Sequence, residues 1–255
     1  MSPVLEKTSS GPDREQNQGQ LTRAERSLYA LSAVKAKLTF YYRSLNFGKR
    51  RAFNKIDFDK IIYPDSVFAR TAMEKMESDS SIALVNHCHR SYIWASLLGQ
   101  LDGSRWDPEI LYVSMMLHDL GLTEKHHGGC VHAKCFTFDG VQGAEDVLGL
   151  TNEKNAKKIS DAILIHLNMD IPGAECGWEA HYLQAGSSLD VVGNRFIDMP
   201  IGCVNSTLER YPRLNLKEEL TDWVDKESKL RPESRFSTLR TLGINRMIHN
   251  NPVGE

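Results

Sequence analysis

The chain has little of what marks a secreted, membrane-spanning or nucleic-acid-binding protein. Its five cysteines, at 88, 130, 135, 176 and 203, are odd in number and share no framework spacing. That usage predicts reduced thiols in a cytoplasmic or nuclear compartment. No apolar run approaches the roughly 18 residues that a membrane span needs, and no membrane partner is expected. The first residues lack a signal-peptide core, and Glu6, Asp13 and Glu15 argue against a transit peptide. A formal net charge of -2 gives no global basic field to gather nucleic acid. Sustained period-2 alternation is missing, and the Asp139-Gly140 step falls between a loop and a helix rather than between two strands. There is no GxGxxG or Walker loop and no Gly-x-Ser-x-Gly elbow.

What is present is a 255-residue chain with 41% hydrophobic and 25% charged residues, ordinary for a globular protein. Residues 1–20 are polar and predict a disordered arm. Residues 21–60 read as a helical extension, 61–255 as the main domain. In 21–47, Leu28, Leu31, Val34, Leu38, Tyr42 and Leu45 recur every three or four residues, which predicts a helix with one buried stripe. That helix packs either on the core or on a second subunit of a homo-oligomer. Lys49-Arg50-Arg51 reads as a solvated surface cluster. From residue 65 onward helix follows helix: Ser66–Met76, Ser81–Leu101, then a helix opened by Asp107-Pro108-Glu109, with an acidic cap and a first-turn proline. Further helices are expected at 140–150, from Thr151 to near His166, at 177–193, 199–210, 214–227 and 236–249. The fold class is all-α.

The densest chemical signal is His118-Asp119, which closes the apolar run Tyr112-Val-Ser-Met-Met-Leu117. Burying such a pair costs several kcal/mol unless it is partnered or bound to a metal. His87, His166 and Asp190 also sit on or at the end of apolar helical segments. Taken singly, each has a plainer reading: a core histidine bonded to a carbonyl, or an Asp190–Arg195 ion pair. Together, imidazoles and carboxylates suit zinc, iron or manganese. Neighbouring side chains on a helix point about 100° apart. The helix must therefore end or distort at His118-Asp119 for both to reach one ion, and Gly121 predicts that stop.

These stretches in order, Asn86-His87, Leu117-His118-Asp119-Leu120-Gly121, Ile165-His166 and Leu189-Asp190, resemble the HD-domain superfamily of metal-dependent hydrolases. The likeness extends to its cyanamide hydratase-like members through Asn86-His-Cys-His-Arg90, Leu117-His-Asp-Leu-Gly-Leu-Thr123, Phe138-Asp139-Gly140, Ala185-Gly-Ser-Ser-Leu-Asp-Val-Val-Gly193 and Tyr211-Pro-Arg213. The resemblance covers about residues 62–250. It implies an HD-domain helical bundle with a metal site in its core. It implies His87, His118, Asp119 and Asp190 as ligands of a divalent metal, zinc being the choice. His166 would stand beside the metal as an acid/base or substrate-orienting group, while His89 falls at a non-ligand position.

Beyond the pair, Thr123 and Lys125 are candidate substrate contacts, and Phe138 and Asp139 candidate pocket residues, with an N-cap role open for Asp139. Residues 126–135 hold His126, His127, Cys130, His132 and Cys135 around paired glycines. They read as a mobile lid before they read as a second zinc site. Two reactions fit. One is hydration of a small nitrile-like molecule, as in cyanamide to urea. The other is phosphoester hydrolysis, which needs Lys or Arg in the pocket, with Lys125, Lys134 and Arg195 as candidates. A catalytically silent HD-type scaffold is the reading outside enzymology. The expected partner is a small-molecule substrate.

Overall fold

A computed structural model describes residues 21–45, 53–130 and 133–254. The expected arm at 1–20, the basic cluster at 49–51 and His132 lie outside the described residues. Among the described residues there are helices and no strand. The helices are α1 (Arg23–Leu45), α2 (Val67–Asp79), α3 (Ile82–Asp102), α4 (Pro108–Leu117), α5 (Phe136–Gly143), α6 (Glu145–Leu148) and α7 (Glu153–Ile165). They continue with α8 (Gly173–Cys176), α9 (Trp178–Val192), α10 (Ile201–Arg210), α11 (Leu216–Leu230), α12 (Arg235–Thr241) and α13 (Ile244–His249). None of the described helices is long and apolar enough to cross a membrane.

Local chemistry sets the helix starts. Ser66, Ser81, Asp107, Asn152 and Ser234 each accept a hydrogen bond from an amide two or three residues on. Each such cap stabilises its helix by about 1 kcal/mol. Packing then decides which faces disappear. α4 touches α2, α3, α7 and α9, so every residue from Ile110 to Leu117 is buried. That explains why its sequence shows no polar stripe: a helix surrounded by others has no side left for water. α3 packs most extensively on α9. At their crossing a Cβ on Gly186 would lie 2.2 Å from the Ser91 carbonyl oxygen, so only glycine lets the two backbones approach.

Three expectations need correction. The described part of the α1 stripe is not buried: Leu31, Val34 and Leu38 are 66%, 51% and 64% exposed, while the side chains of Tyr42 and Leu45 lie outside the described residues. The helix docks by another face, where Tyr29 is buried and its hydroxyl donates to the Leu167 carbonyl. Arg26 pairs with Glu233 beside it. The expected helix at 140–150 begins at Phe136 and breaks into α5 and α6 at Ala144. The expected helix at 236–249 is cut in two by Gly243, whose φ of +87° ends α12.

Candidate metal centre

Five elements deliver the site. His87 lies in the first half of α3 and is fully buried. His118 is the C-cap of α4, and Asp119 follows with φ -106° and ψ 13°, already out of the helix. The chain then makes a 3-10 turn at Leu120–Leu122. The expected distortion at the pair is thus present. Gly121 serves it by close approach rather than by a left-handed φ: a Cβ there would lie 2.0 Å from the Phe136 carbonyl oxygen. His166 caps α7, and Asp190 lies near the end of α9.

Asp119 is the hub. Its carboxylate lies 3.2 Å from His118 Nε2, 3.4 Å from His87 Nε2 and 3.7 Å from His166 Nε2. The His87 and His118 rings stand 5.3 Å apart, and those of His118 and His166 5.1 Å apart, edge to face. In each imidazole the other nitrogen is occupied. His118 Nδ1 donates to the Met115 carbonyl and His166 Nδ1 to the Ile163 carbonyl, each the acceptor three residues back in the ending helix. His87 Nδ1 lies 2.8 Å from Asp190 Oδ2. These partners favour the Nδ1–H tautomer in all three rings and turn three Nε2 lone pairs toward Asp119.

The residues fit a cation. His87 Nε2 and His118 Nε2 are buried without a hydrogen-bond partner, an arrangement that costs stability unless something binds there. One ligand atom each from His87, His118 and Asp119 fall within 4.8 Å of one another, which makes them a possible metal-binding triad. The local field agrees. Burial disfavours a charged His118, yet Asp119 raises its pKa to about 10. Burial pushes Asp119 up, but His118 and His87 hold it well below the usual carboxylate range. The buried negative charge of Asp119 that raises His118 is the same charge that would attract a divalent ion in place of that proton. His166 differs: burial, then the charge of His118, push it down to about 4, so it is neutral.

Asp190 stands one layer behind. Arg90 donates to both of its oxygens, from Nε to Oδ1 and from Nη2 to Oδ2, at 2.8 Å each. Trp94 Nε1 donates to Oδ1 at 3.0 Å. Its carboxylate therefore clamps His87, and it is not one of the three residues that converge. Arg90 and Trp94 escaped the sequence reading. The signal was there: His87, Arg90 and Trp94 are spaced three and four apart, which puts them on one face of α3.

The other candidates are placed as follows. Thr123 is buried and its hydroxyl donates to the Leu120 carbonyl. Lys125 is exposed and pairs with Asp79 at 2.7 Å. Phe138 is half-buried on the core, and Phe136 is the aromatic that meets His166, ring centroids 5.8 Å apart. Asp139 is buried, but it accepts from the Gly128 and Cys130 amides and from Arg231. His126 pairs with Asp79 and His127 with Glu227. The loop's described histidines therefore face different partners, and among the described residues the one His/Cys/Asp/Glu cluster suited to a metal is His87, His118 and Asp119.

No protein-family model matches the chain. Two curated proteins of Saccharomyces cerevisiae, named cyanamide hydratase DDI2 and cyanamide hydratase DDI3, are each 28% identical to it over 186 residues, covering 69% of this chain and 79% of theirs. Across the span that carries its buried His/Asp cluster, the chain is thus a distant homologue of proteins named as cyanamide hydratases.

Proposed function

We propose that the chain is an HD-type, metal-dependent hydratase that adds water across the C≡N bond of a small neutral molecule, with cyanamide to urea as the reference reaction. The observation that supports this most is the convergence of three imidazole Nε2 atoms on the buried carboxylate of Asp119. The similarity to proteins named cyanamide hydratases supports this substrate class. His87, His118 and Asp119 would hold the ion; zinc is the choice from this donor set, which iron and manganese also suit. Asp190, expected as a fourth ligand, is assigned the task of orienting His87.

A bound divalent ion supplies an acidified water and polarises the substrate. The remaining work falls to the chain. His166, neutral and with Nε2 turned inward, accepts the proton that water loses as its oxygen bonds to the nitrile carbon. The same Nε2 then returns that proton to the substrate nitrogen. The resulting imidic acid tautomerises to the amide, so atoms balance with no other reactant. Phe136 beside His166, and the apolar wall of α4, keep further water away.

A phosphoester substrate needs cations at the centre. Of the candidates, Lys125 binds Asp79, Arg195 binds Asp102 and Asp198, and Lys134 is exposed; Arg90 and Arg213 are held by Asp190 behind His87. The deciding experiment is elemental analysis followed by assays on cyanamide and a nucleotide panel, with and without chelator. Chelator-sensitive urea formation is expected. Phosphate release without urea supports a phosphohydrolase instead. Full metal content in both His118→Ala and Asp119→Ala removes the metal centre altogether.

A further inference from the structure

We propose that α1 is a docking element for an anionic lipid surface, separate from the metal centre. The helix has two opposed faces. One is docked: Tyr29 is buried and bonds to the Leu167 carbonyl, and Arg26 pairs with Glu233. At about 100° per residue the opposite face carries Leu31, Val34 and Leu38, all within about 60° of one another. These are 66%, 51% and 64% exposed, and Leu28 beside them is 41% exposed. Three large apolar side chains in one stripe, on a helix already anchored by its other side, form a surface with no partner among the described residues.

Charge selects the occupant. Residues 21–51 hold eight Lys or Arg and a single acid, Glu25, although the whole chain has a net charge of -2. The acid is turned away from the stripe and accepts from the Thr22 amide. Arg23 and Lys35 are exposed and fall about 60° to either side of the stripe's centre line, by the same helical spacing. An apolar stripe flanked by cations suits a membrane interface, where leucines enter the acyl boundary and long basic chains reach acidic headgroups. Pairing with a second copy of the same face fits less well, because it gathers like charges along both edges of the contact.

The test is flotation of the full chain with phosphatidylcholine vesicles, with and without phosphatidylserine, alongside light scattering of the free protein. Expected is recovery about tenfold higher with phosphatidylserine, reduced by salt. The Leu31→Asp/Leu38→Asp variant should lose that binding, and Arg23→Gln/Lys35→Gln should weaken it while leaving the stripe intact. These side chains are exposed, so helicity and metal content should match the parent. No flotation, equal flotation on neutral vesicles, or undiminished flotation of the leucine variant each overturns the proposal. So does a parent dimer that the leucine variant turns into monomers, which assigns the stripe to a second copy.

Discussion

His87 Nδ1 lies 2.8 Å from Asp190 Oδ2, and that contact decides which nitrogen His87 offers to the centre. Asp190 is in turn held by Arg90 and Trp94. The carboxylate thus ties α9 to α3 and sets the pose of one imidazole of the candidate metal triad in one arrangement.

Asp190→Asn should keep the shape of this layer while removing its charge. Orienting partners of metal-bound histidines typically contribute about 10–100-fold in affinity. Metal affinity should fall by about that factor, read by competition with a chromophoric chelator. Arg90 is also left buried without its counter-charge, at a cost of about 3–5 kcal/mol in stability, read by urea denaturation. Unchanged affinity at full occupancy refutes the orienting role.

His166→Gln should separate proton transfer from metal binding. The variant should retain the ion, because His87, His118 and Asp119 are intact. Turnover of cyanamide should drop about 10²–10⁴-fold, the usual worth of a positioned acid/base. Loss of the metal together with activity makes His166 a ligand instead.

Arg231 fastens the loop that follows the His-Asp pair. Its guanidinium bridges Asp139 at 2.6 Å and Glu227 at 3.0 Å, while His127 reaches Glu227 and the Gly128 and Cys130 amides reach Asp139. Arg231→Met leaves two buried carboxylates without their shared cation. Stability should fall by about 3–5 kcal/mol, and amide exchange should rise first at Gly128 and Cys130. Exchange rising equally across α3 and α4 contradicts this local role.

Asp79 holds the other side of the same loop. Burial raises its pKa, but hydrogen bonds from Lys125, His126, Ser78 and Lys75 outweigh this and set it below the ordinary carboxylate range. A carboxylate depressed in the folded state stabilises above its unfolded pKa of about 3.9, and that contribution fades as pH falls toward the folded value. Asp79→Asn should therefore cost about 1–3 kcal/mol near neutrality. The gap from the parent should narrow only below about pH 4. A gap that stays constant from pH 7 to about 3 excludes the ionic origin.

The sequence by itself determined the helical class, the capped starts at Ser66, Ser81, Asp107 and Asn152, and the break at His118-Asp119. These are local matters: a cap, a proline or a period of 3.6 acts within a few residues. The convergence of His87, His118 and Asp119 was readable only through the resemblance to the HD-domain superfamily; ionisable groups inside apolar helices pointed to it, but each had a plainer reading by itself. Tertiary structure decided the rest. Asp190 stood out as a buried acid, but only the crossing of α3 over α9 shows that Arg90 and Trp94 claim its oxygens. Asp139 looked like a cap or a pocket wall until Arg231, 92 residues away, was seen against it. The stripe of α1 has the right period for burial, yet periodicity says only that a helix has an apolar face. Which face meets the protein depends on what lies opposite, and there the Leu167 carbonyl and Glu233 won through Tyr29 and Arg26.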